Sequence, residues 1–443
     1  MKTPIYDFVQ NYIRSDSARF HMPGHKGASV LGSEPFDITE IKGADVLYSP
    51  NGIIAQSESN AASLFGTGHT FYSTEGSSLA IRAMLGAFCE CRETERATVL
   101  AARNAHKAFL YSCALLDLDV EWLFPDRFSH ICASPITPDE LRKKLEQMKK
   151  KPNAVYITSP DYLGNIADIG GLSAVCDEFS VPLLVDNAHG AYLAFLTPSM
   201  HPIALGATAC CDSAHKTLPV LTGGAYLHFS KKAPQKYKEN ARKYLSLFAS
   251  TSPSYLILQS LDLFNAQKEE YIKKLSVCEK KVKELKEKLT RLGFLTAGNE
   301  PMKITVSARE SGYSGDELGE ILRENGIECE FSDPDYLVLM IAPQNSERDF
   351  ERLLSAFEGI VMRTPIASQE FSVSEPRAVM SVRRAILSPS KTVPVRKARG
   401  QICASPTVSC PPAVPIVVSG EIIEDGHIRL MEYYGSTTVD IVE

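Results

Sequence analysis

The sequence lacks the features typical of membrane, secreted and nucleic-acid-binding proteins. No run of its 443 residues is apolar and uncharged over enough length to cross a bilayer, and the N-terminus has no apolar signal core. Long basic tracts and basic residues interleaved with aromatic ones are also missing, and the formal net charge is −6. We therefore expect a cytoplasmic protein that binds neither membranes nor nucleic acid.

Disulfide and zinc frameworks are missing as well. The 11 cysteines are scattered without repeated C-x-x-C spacing, so we expect neither a zinc site nor an oxidised scaffold. Reduced thiols, several of them buried as small apolar side chains, are the expected state. The composition, 44% apolar and 23% charged, is that of a globular protein long enough for two or three domains.

Beyond about residue 61, strand-like and helix-like patterns alternate. Strands are predicted over 98–101, 120–124, 154–158 and 182–185, and helices over 77–91, 106–116, 137–150 and 172–179. This alternation predicts an α/β fold with a mainly parallel sheet covered on both faces. Ligands bind at the carboxyl ends of such strands, where Asp186 and the Ser159-Pro160 pair lie.

We predict an N-terminal arm (1–50, with a helix over 5–13), a large domain (51–295) and a small C-terminal α/β domain (296–443). A charged amphipathic helix over 279–292 precedes the second boundary. Strands over 303–306, 328–331 and 337–341 and helices over 316–325 and 347–357 then give a βαββα order. The proline-rich and basic chain after Arg363 is expected to wrap a surface or a partner subunit.

The most informative segment is DSAHKTL at 212–218. It places Lys216 beside His215, Ser213 and Thr217. A lysine amine can form a Schiff base with the aldehyde of pyridoxal phosphate, and its neighbours can hydrogen-bond a phosphate. A surface His-Lys pair in a loop is the alternative. The glycines of TGGA at 222–225 favour the cofactor reading, because they allow close backbone approach before a returning strand at 225–229.

Asp186 ends the hydrophobic run at 183–185. An aspartate there can pair with the pyridinium nitrogen and keep it protonated, which makes the ring an electron sink. Helix capping and metal ligation are the alternatives, although residues 187–192 show no helical start that a cap would serve. His189 either holds Asp186, contacts the cofactor or has a structural role.

A phosphate also needs backbone donors, and the turn at 73–78 can supply them. Gly76, Ser77 and Ser78 open a helical pattern, whose first N–H groups and positive dipole end favour an anion. A helix capped by serine has the same pattern. His106 follows the strand at 98–101 and is a candidate for stacking on a flat ring, with a structural role as the alternative.

The opening HMPGHKG at 21–27 is interpreted as a rigid active-site loop. Only His21 and His25 are candidate metal ligands there, and no nearby acid completes a metal site.

Taken in order, these segments resemble the ornithine/lysine/arginine decarboxylases with the aspartate aminotransferase-like fold (fold type I), in their short bacterial form. The matching segments are 21–27, 52–56, 103–106, 186–190 and 213–216, with a weaker echo at 395–421. The resemblance implies that Lys216 binds pyridoxal phosphate covalently, that Asp186 pairs with its ring nitrogen and that His106 stacks on the ring. It also places His189 near the ring and implies phosphate contacts from Gly76, Ser77, Ser78, Ser213 and His215.

The implied activity is decarboxylation of arginine, lysine or ornithine to carbon dioxide and a polyamine-type amine, by a homodimer or larger assembly with its site at the subunit interface. One alternative is another fold type I reaction, such as aldol cleavage, β-elimination or transamination. In transamination Arg377, Arg383 or Arg384 would grip the substrate carboxylate. A non-catalytic relative that binds the cofactor is the other alternative.

Four positions depart from the family pattern. Glu75 stands where the phosphate turn usually has asparagine, and Asp161 stands where threonine is common. Ser405 and Cys410 replace a glutamate and a tyrosine. These differences bear on the substrate more than on the cofactor.

Overall fold

A computed structural model describes residues 1–89, 95–125, 130–367, 377–406 and 412–443. The first helices are α1 (Pro4–Arg14), α2 (Ile53–Phe65), α3 (Gly76–Phe88), α4 (Lys107–Leu116), α5 (Pro138–Gln147), α6 (Ile169–Phe179) and α7 (Ala214–Thr217). They are followed by α8 (Gln235–Phe248), α9 (Tyr255–Arg291), α10 (Gly315–Glu324), α11 (Glu347–Glu358), α12 (Val382–Leu387) and α13 (Asp425–Tyr433). Short 3-10 helices lie at Glu34–Phe36, Ala191–Phe195, Ala308–Ser311 and Val395–Lys397.

The strands up to residue 229 are β1 (His69–Ser73), β2 (Thr98–Ala102), β3 (Asp119–Leu123), β4 (Ala154–Thr158), β5 (Leu183–Asp186), β6 (Ala209–Asp212) and β7 (Ala225–Phe229). The later strands are β8 (Thr296–Ala297), β9 (Lys303–Ser307), β10 (Phe331–Ser332), β11 (Tyr336–Met340), β12 (Ser390–Pro394) and β13 (Thr438–Val442).

Seven strands form one sheet in the order β1-β7-β6-β5-β4-β2-β3. The pairs β2–β3 and β5–β6 are parallel, whereas β7 runs antiparallel to both β1 and β6. Strand β5 is buried along its whole length, as expected for a strand covered on both faces. The predicted α/β class is therefore confirmed, with a mixed rather than wholly parallel sheet.

By contacts the chain divides into two compact units. The first unit comprises Met1–Glu90, Asn153–Tyr156 and Ile169–Lys273, and the second comprises Cys91–Pro152, Ile157–Asp168 and Lys274–Glu443. The predicted domain boundaries at residues 50 and 295 stay predictions.

Several predicted elements lie within a few residues of the observed ones, including α1, α3 to α6 and β2 to β5. The elements that were missed include α2, α8, β1 and the elements of the C-terminal segment, namely α12, β12, α13 and β13. Helix α9 is 37 residues long and begins well before the predicted start at 279. Its buried residues, from Leu258 and Leu261 through Val282 to Leu289, keep helical spacing throughout. The apolar pattern of the sequence therefore predicts one long helix.

The second unit contains a four-stranded antiparallel sheet in the order β10-β11-β9-β8. The strand predicted over 328–331 is wrong except at Phe331, because β10 covers only Phe331–Ser332. The expectation that the chain after Arg363 wraps a surface is also wrong for its described part. Strands β12 and β13 pair there, and a core of its own includes Ala398, Cys403 and Met431.

Nine cysteines lie in the described part of the chain, all as free thiols, and all of them except Cys329 are buried. The prediction of buried thiols is confirmed for these residues, while Cys91 and Cys410 lie outside the described residues. A search of the helices in the same part of the chain finds none that combines the length and the apolarity needed to cross a membrane.

Candidate active site

Lys216 lies on α7, one turn after β6 ends. Its Nζ atom is 2.9 Å from Nε2 of His189, which is buried in the loop that follows β5. Because β5 and β6 are parallel and adjacent, with Asp186 opposite Cys211, the segments that leave both strands emerge at the same edge of the sheet. The structure therefore brings together three residues that the sequence predicted for one site: Lys216, His189 and Asp186.

Asp186 is only 2% exposed, and donors surround its carboxylate. The Tyr156 hydroxyl donates to Oδ2 at 3.0 Å, and Oδ1 lies 3.2 Å from the backbone N of Ala188 and 3.6 Å from Sγ of Cys211. These contacts fix the carboxylate without a helix cap, although a 3-10 helix does begin at Ala191. A buried carboxylate held in this way can face a protonated ring nitrogen.

The predicted phosphate turn opens α3. Gly76 has φ +68°, and a Cβ added to it would meet no atom within 4 Å, so this turn leaves open space beside the helix start. Ser213 donates from its hydroxyl to the hydroxyl of Ser77 at 2.7 Å, which joins the lysine segment to this turn. The first turn of a helix leaves backbone N–H groups without partners inside the helix, so an anion finds donors here.

The glycine loop at 222–225 supports the same turn. The backbone N of Gly76 donates to the carbonyl of Gly223 at 2.8 Å. Gly223 has φ +97°, and a Cβ there would lie 2.8 Å from the carbonyl oxygen of Thr74. Only glycine allows this close approach, as the sequence pattern predicted.

Glu75 does not oppose an anion at the turn. Its Oε1 accepts a hydrogen bond from the backbone N of Ser250 at 2.7 Å, and its side chain is solvent-exposed. The departure from the family's asparagine is therefore compatible with a phosphate at Gly76.

His215 donates through Nδ1 to the carbonyl of Gly224 at 2.9 Å. Burial lowers the pKa of His215, and the neighbouring Lys216 charge adds to this effect, whereas the bond to Gly224 raises the pKa. The ring in its neutral form presents an unprotonated Nε2. A phosphate contact through that atom therefore requires that the anion itself raise the pKa of the ring and protonate it.

These residues fit pyridoxal phosphate. An amine, a buried carboxylate with its own donors and a serine- and glycine-lined helix start belong to one compact unit. The Thr217 hydroxyl, also named from the sequence, is buried without a hydrogen-bond partner in the described part of the chain. A buried hydroxyl of this kind is costly unless a bound group satisfies it.

Other predicted residues have contacts of their own. His106 belongs to the second unit, where it caps α4 and its Nδ1 accepts from the backbone N of Ala108 at 3.1 Å. Its stacking role stays a prediction. His21 and His25 are not brought together on shared partners: Nε2 of His21 is 2.7 Å from the Tyr12 hydroxyl, and Nε2 of His25 is 3.2 Å from Oδ2 of Asp37.

Two further departures from the family pattern have local structural roles, while Cys410 lies outside the described residues. The Asp161 carboxylate accepts from the backbone N–H groups of Leu163 and Asn165, both at 2.9 Å, and so shapes its own turn. Ser405 donates to Oδ2 of Asp440 at 2.9 Å.

Comparison with known proteins decides the family. A model of the Orn/Lys/Arg decarboxylase major domain matches residues 3–299, which include Lys216, Asp186, His189 and the phosphate turn. The chain belongs to the Orn/Lys/Arg decarboxylase family. The members of this family are pyridoxal phosphate-dependent decarboxylases, so both the resemblance and the predicted enzyme class are confirmed.

Relatives of this family member align over nearly their whole length. It is 28% identical over 449 residues to the uncharacterized protein YaaO of Bacillus subtilis (strain 168), covering 96% of this chain and 92% of the relative. It is 27% identical over 460 residues to an arginine decarboxylase of the same strain, with the same coverage. The solved lysine decarboxylase LdcF of Francisella novicida superposes with a TM-score of 0.83 at 18% identity, covering 100% of this chain and 81% of that one. This last likeness confirms the fold type I architecture alone.

Sequence reasoning missed Tyr156 and Cys211 as partners of Asp186. Both lie on strands that flank β5, and Cys211 is directly opposite Asp186. The prediction of β4 contained Tyr156, so alternation of side chains along that strand was the signal that could have found it.

Proposed function

We propose that this chain is a pyridoxal phosphate-dependent α-decarboxylase of a basic amino acid, namely arginine, lysine or ornithine. The observation that carries the proposal is the convergence of the Lys216 amine, His189 and the buried Asp186 at one edge of the sheet. The substrate class is supported by the named arginine decarboxylases among relatives that align over 96% of this chain.

Each of the site residues of the first unit has a separate role in the proposed reaction. Lys216 would bind the cofactor covalently through its amine and would release it to the substrate amine. Asp186 would favour a protonated ring nitrogen on the cofactor, and Tyr156 keeps the Asp186 carboxylate in place. When bound, the cofactor supplies a conjugated ring that accepts the electron pair left when the Cα–carboxylate bond breaks. Carbon dioxide leaves, and Cα gains a proton to give the amine.

Proton handling falls to Lys216 and His189. Their nitrogens are 2.9 Å apart, so a proton can pass directly between Nζ and Nε2. Ser77, Ser78 and Ser213 would hold the phosphate at the start of α3, and Gly76 would leave room for it, because its backbone N already donates to Gly223.

The covalent bond to Lys216 has a direct test. Purified protein is expected to show a visible absorption band that borohydride removes and that Lys216→Ala abolishes. Lys231→Ala, a change of an exposed lysine in the same unit, is the matched control and retains the band. A borohydride-sensitive band of normal intensity in Lys216→Ala would assign the covalent role to another lysine.

Substrate and reaction are tested with arginine, lysine and ornithine labelled at the carboxyl carbon. Labelled carbon dioxide and the matching amine in equal amounts support decarboxylation. Release of a keto acid instead would make the chain a transaminase, and cofactor binding without turnover of any of the three would leave a non-catalytic binding protein.

The proposal extends to assembly and location. We infer a homodimer or larger homo-oligomer that acts in the cytoplasm and contributes to polyamine metabolism, as the family resemblance implies.

A further inference from the structure

Two histidines, a cysteine and an aspartate meet in the core of the first unit, apart from the residues assigned to the cofactor. These residues, called here the β6 cluster, are His201, Cys210, Asp212 and His228, and none is more than 1% exposed. Cys210 and Asp212 are two apart on β6, so their side chains point to the same face of the sheet. His228 lies opposite Cys210 on β7, and His201 enters from the loop before β6.

Three side chains of the β6 cluster, those of His201, Cys210 and Asp212, offer ligand atoms that all lie within 4.8 Å of one another, and His228 adjoins them through Asp212. Nε2 of His201 and Nε2 of His228 lie 3.1 and 3.2 Å from the same oxygen, Oδ2 of Asp212. Sγ of Cys210 is 3.8 Å from Nε2 of His201 and 4.0 Å from Oδ1 of Asp212. Ligands around a tetrahedral zinc ion are separated by about 3.3–3.6 Å, as follows from zinc–ligand bonds of about 2.0–2.3 Å.

Charge favours a divalent ion at this position. Without an ion, the fully buried Asp212 carboxylate is stabilised by hydrogen bonds from Asn187, His201 and His228. A dication bound by one carboxylate, one thiolate and two neutral imidazoles leaves no net charge in the core. We propose that the β6 cluster is a structural site for a divalent transition-metal ion, with zinc the best match to its mixed nitrogen, sulfur and oxygen ligands.

Neighbouring groups already orient the ligands. Nδ1 of His228 is 2.8 Å from the Thr70 hydroxyl, which is itself 2.8 Å from the hydroxyl of Thr67. Asn187 donates from Nδ2 to Oδ1 of Asp212 at 2.7 Å. The contact to Thr70 turns Nε2 of His228 inward, and the contact to Asn187 orients the Asp212 carboxylate, as outer partners of metal ligands do.

The site is structural rather than catalytic. The four side chains are almost fully buried, so a substrate cannot reach an ion held among them. The ion joins β6, β7 and the loop at 201 just before the segment that carries Lys216. Because the cluster is fully buried, the ion enters during folding and the Cys210 thiol loses its proton on binding.

Metal content tests the proposal. Protein expressed in zinc-supplemented medium and dialysed against a weak chelator is expected to retain about one zinc per chain by mass spectrometry. Cobalt-loaded protein is expected to show visible bands of a tetrahedral ion and a thiolate charge-transfer band. Cys210→Ser and His201→Gln should each lower retained metal at least tenfold. Cys176→Ser, which changes an equally buried thiol in the same unit, should retain it.

Three results would overturn the proposal. Wild-type protein without stoichiometric metal would identify the cluster as a hydrogen-bonded network in which both imidazoles donate to Asp212. Full retention in Cys210→Ser and His201→Gln would place the ion elsewhere. Loss in Asp333→Asn alone would locate it at His130, Asp333 and Asp335 of the second unit. The cobalt spectrum of the wild type decides the coordination even if both variants fail to fold.

Discussion

Tyr156, on strand β4, holds the carboxylate of Asp186 in place. Its hydroxyl donates to Oδ2 of the carboxylate at 3.0 Å, and both side chains are almost fully buried. A donor to a buried charged group contributes roughly 1.5–3 kcal/mol. The carboxylate would lose both orientation and part of its stabilisation without this hydroxyl.

We therefore expect Tyr156→Phe to lower kcat/KM for the decarboxylation by about tenfold or more, equivalent to about 1.4 kcal/mol or more. Cofactor affinity should fall as well, which a titration of the apoprotein with pyridoxal phosphate measures. Tyr226→Phe is the matched control, because that buried hydroxyl has no hydrogen-bond partner in the described part of the chain. Equal activity of the two variants would show that Asp186 does not depend on Tyr156.

Residues close to one another in sequence could be predicted, whereas partners across the sheet could not. Lys216, His215 and Ser213 share one motif, and Asp186 with His189 shares another. Tyr156 is 30 residues from Asp186, and their contact depends on strand register and side-chain direction. The β6 cluster escaped prediction for the same reason, since its ligands follow no zinc-binding spacing.

At the scale of elements, the glycine loop between α7 and β7 determines how closely the phosphate turn approaches. Gly223 needs its positive φ of +97°, and a Cβ would come within 2.8 Å of the Thr74 carbonyl oxygen and 3.0 Å of Cδ1 of Ile257. Any other residue at position 223 would therefore have a strained backbone conformation, and its side chain would clash with the backbone of Thr74.

Gly223→Ala is expected to weaken binding of pyridoxal phosphate by tenfold or more and to destabilise the protein by about 2–4 kcal/mol. Gly66→Ala is the control that separates backbone strain from steric clash. Gly66 also has a positive φ of +67°, but no atom lies within 4 Å of an added Cβ. That control should cost only about 1–2 kcal/mol of left-handed strain and leave cofactor affinity unchanged. Thermal unfolding and cofactor titration measure both effects. Similar losses in the two variants would argue against the close approach.

Elements were predictable where the apolar pattern was short and bounded, as in β2, β4 and β5. The C-terminal segment was not, because its prolines and basic residues obscured the pattern of buried residues in β13 and α13. Its core forms from residues far apart in sequence, such as Val395, Cys403 and Ile441. Only packing reveals that such scattered apolar positions face one another.

For the molecule as a whole, Asp262 ties the start of the chain to helix α9. Its Oδ2 accepts from the backbone N–H groups of Ile5 at 2.9 Å and Tyr6 at 3.0 Å, which are first-turn groups of α1. Its Oδ1 accepts from the Ser57 hydroxyl on α2 at 2.5 Å. Burial raises the pKa of Asp262 to about 6, with a contribution from the nearby Asp7 charge, against the lowering effect of these hydrogen bonds.

This raised pKa predicts the sign of a pH effect on stability. The folded state binds the Asp262 proton more tightly than the unfolded state, whose pKa is near 3.8. The stabilisation is therefore fully present below pH 3.8 and is lost as the pH rises through about 6, on the order of 3 kcal/mol in all. Asp262→Asn removes this titration, so the difference in unfolding free energy between wild type and variant should change by that order between pH 4 and 7. Because other carboxylates titrate equally in both proteins, denaturant unfolding at matched pH values isolates the effect, and a difference that stays constant across the range would contradict it.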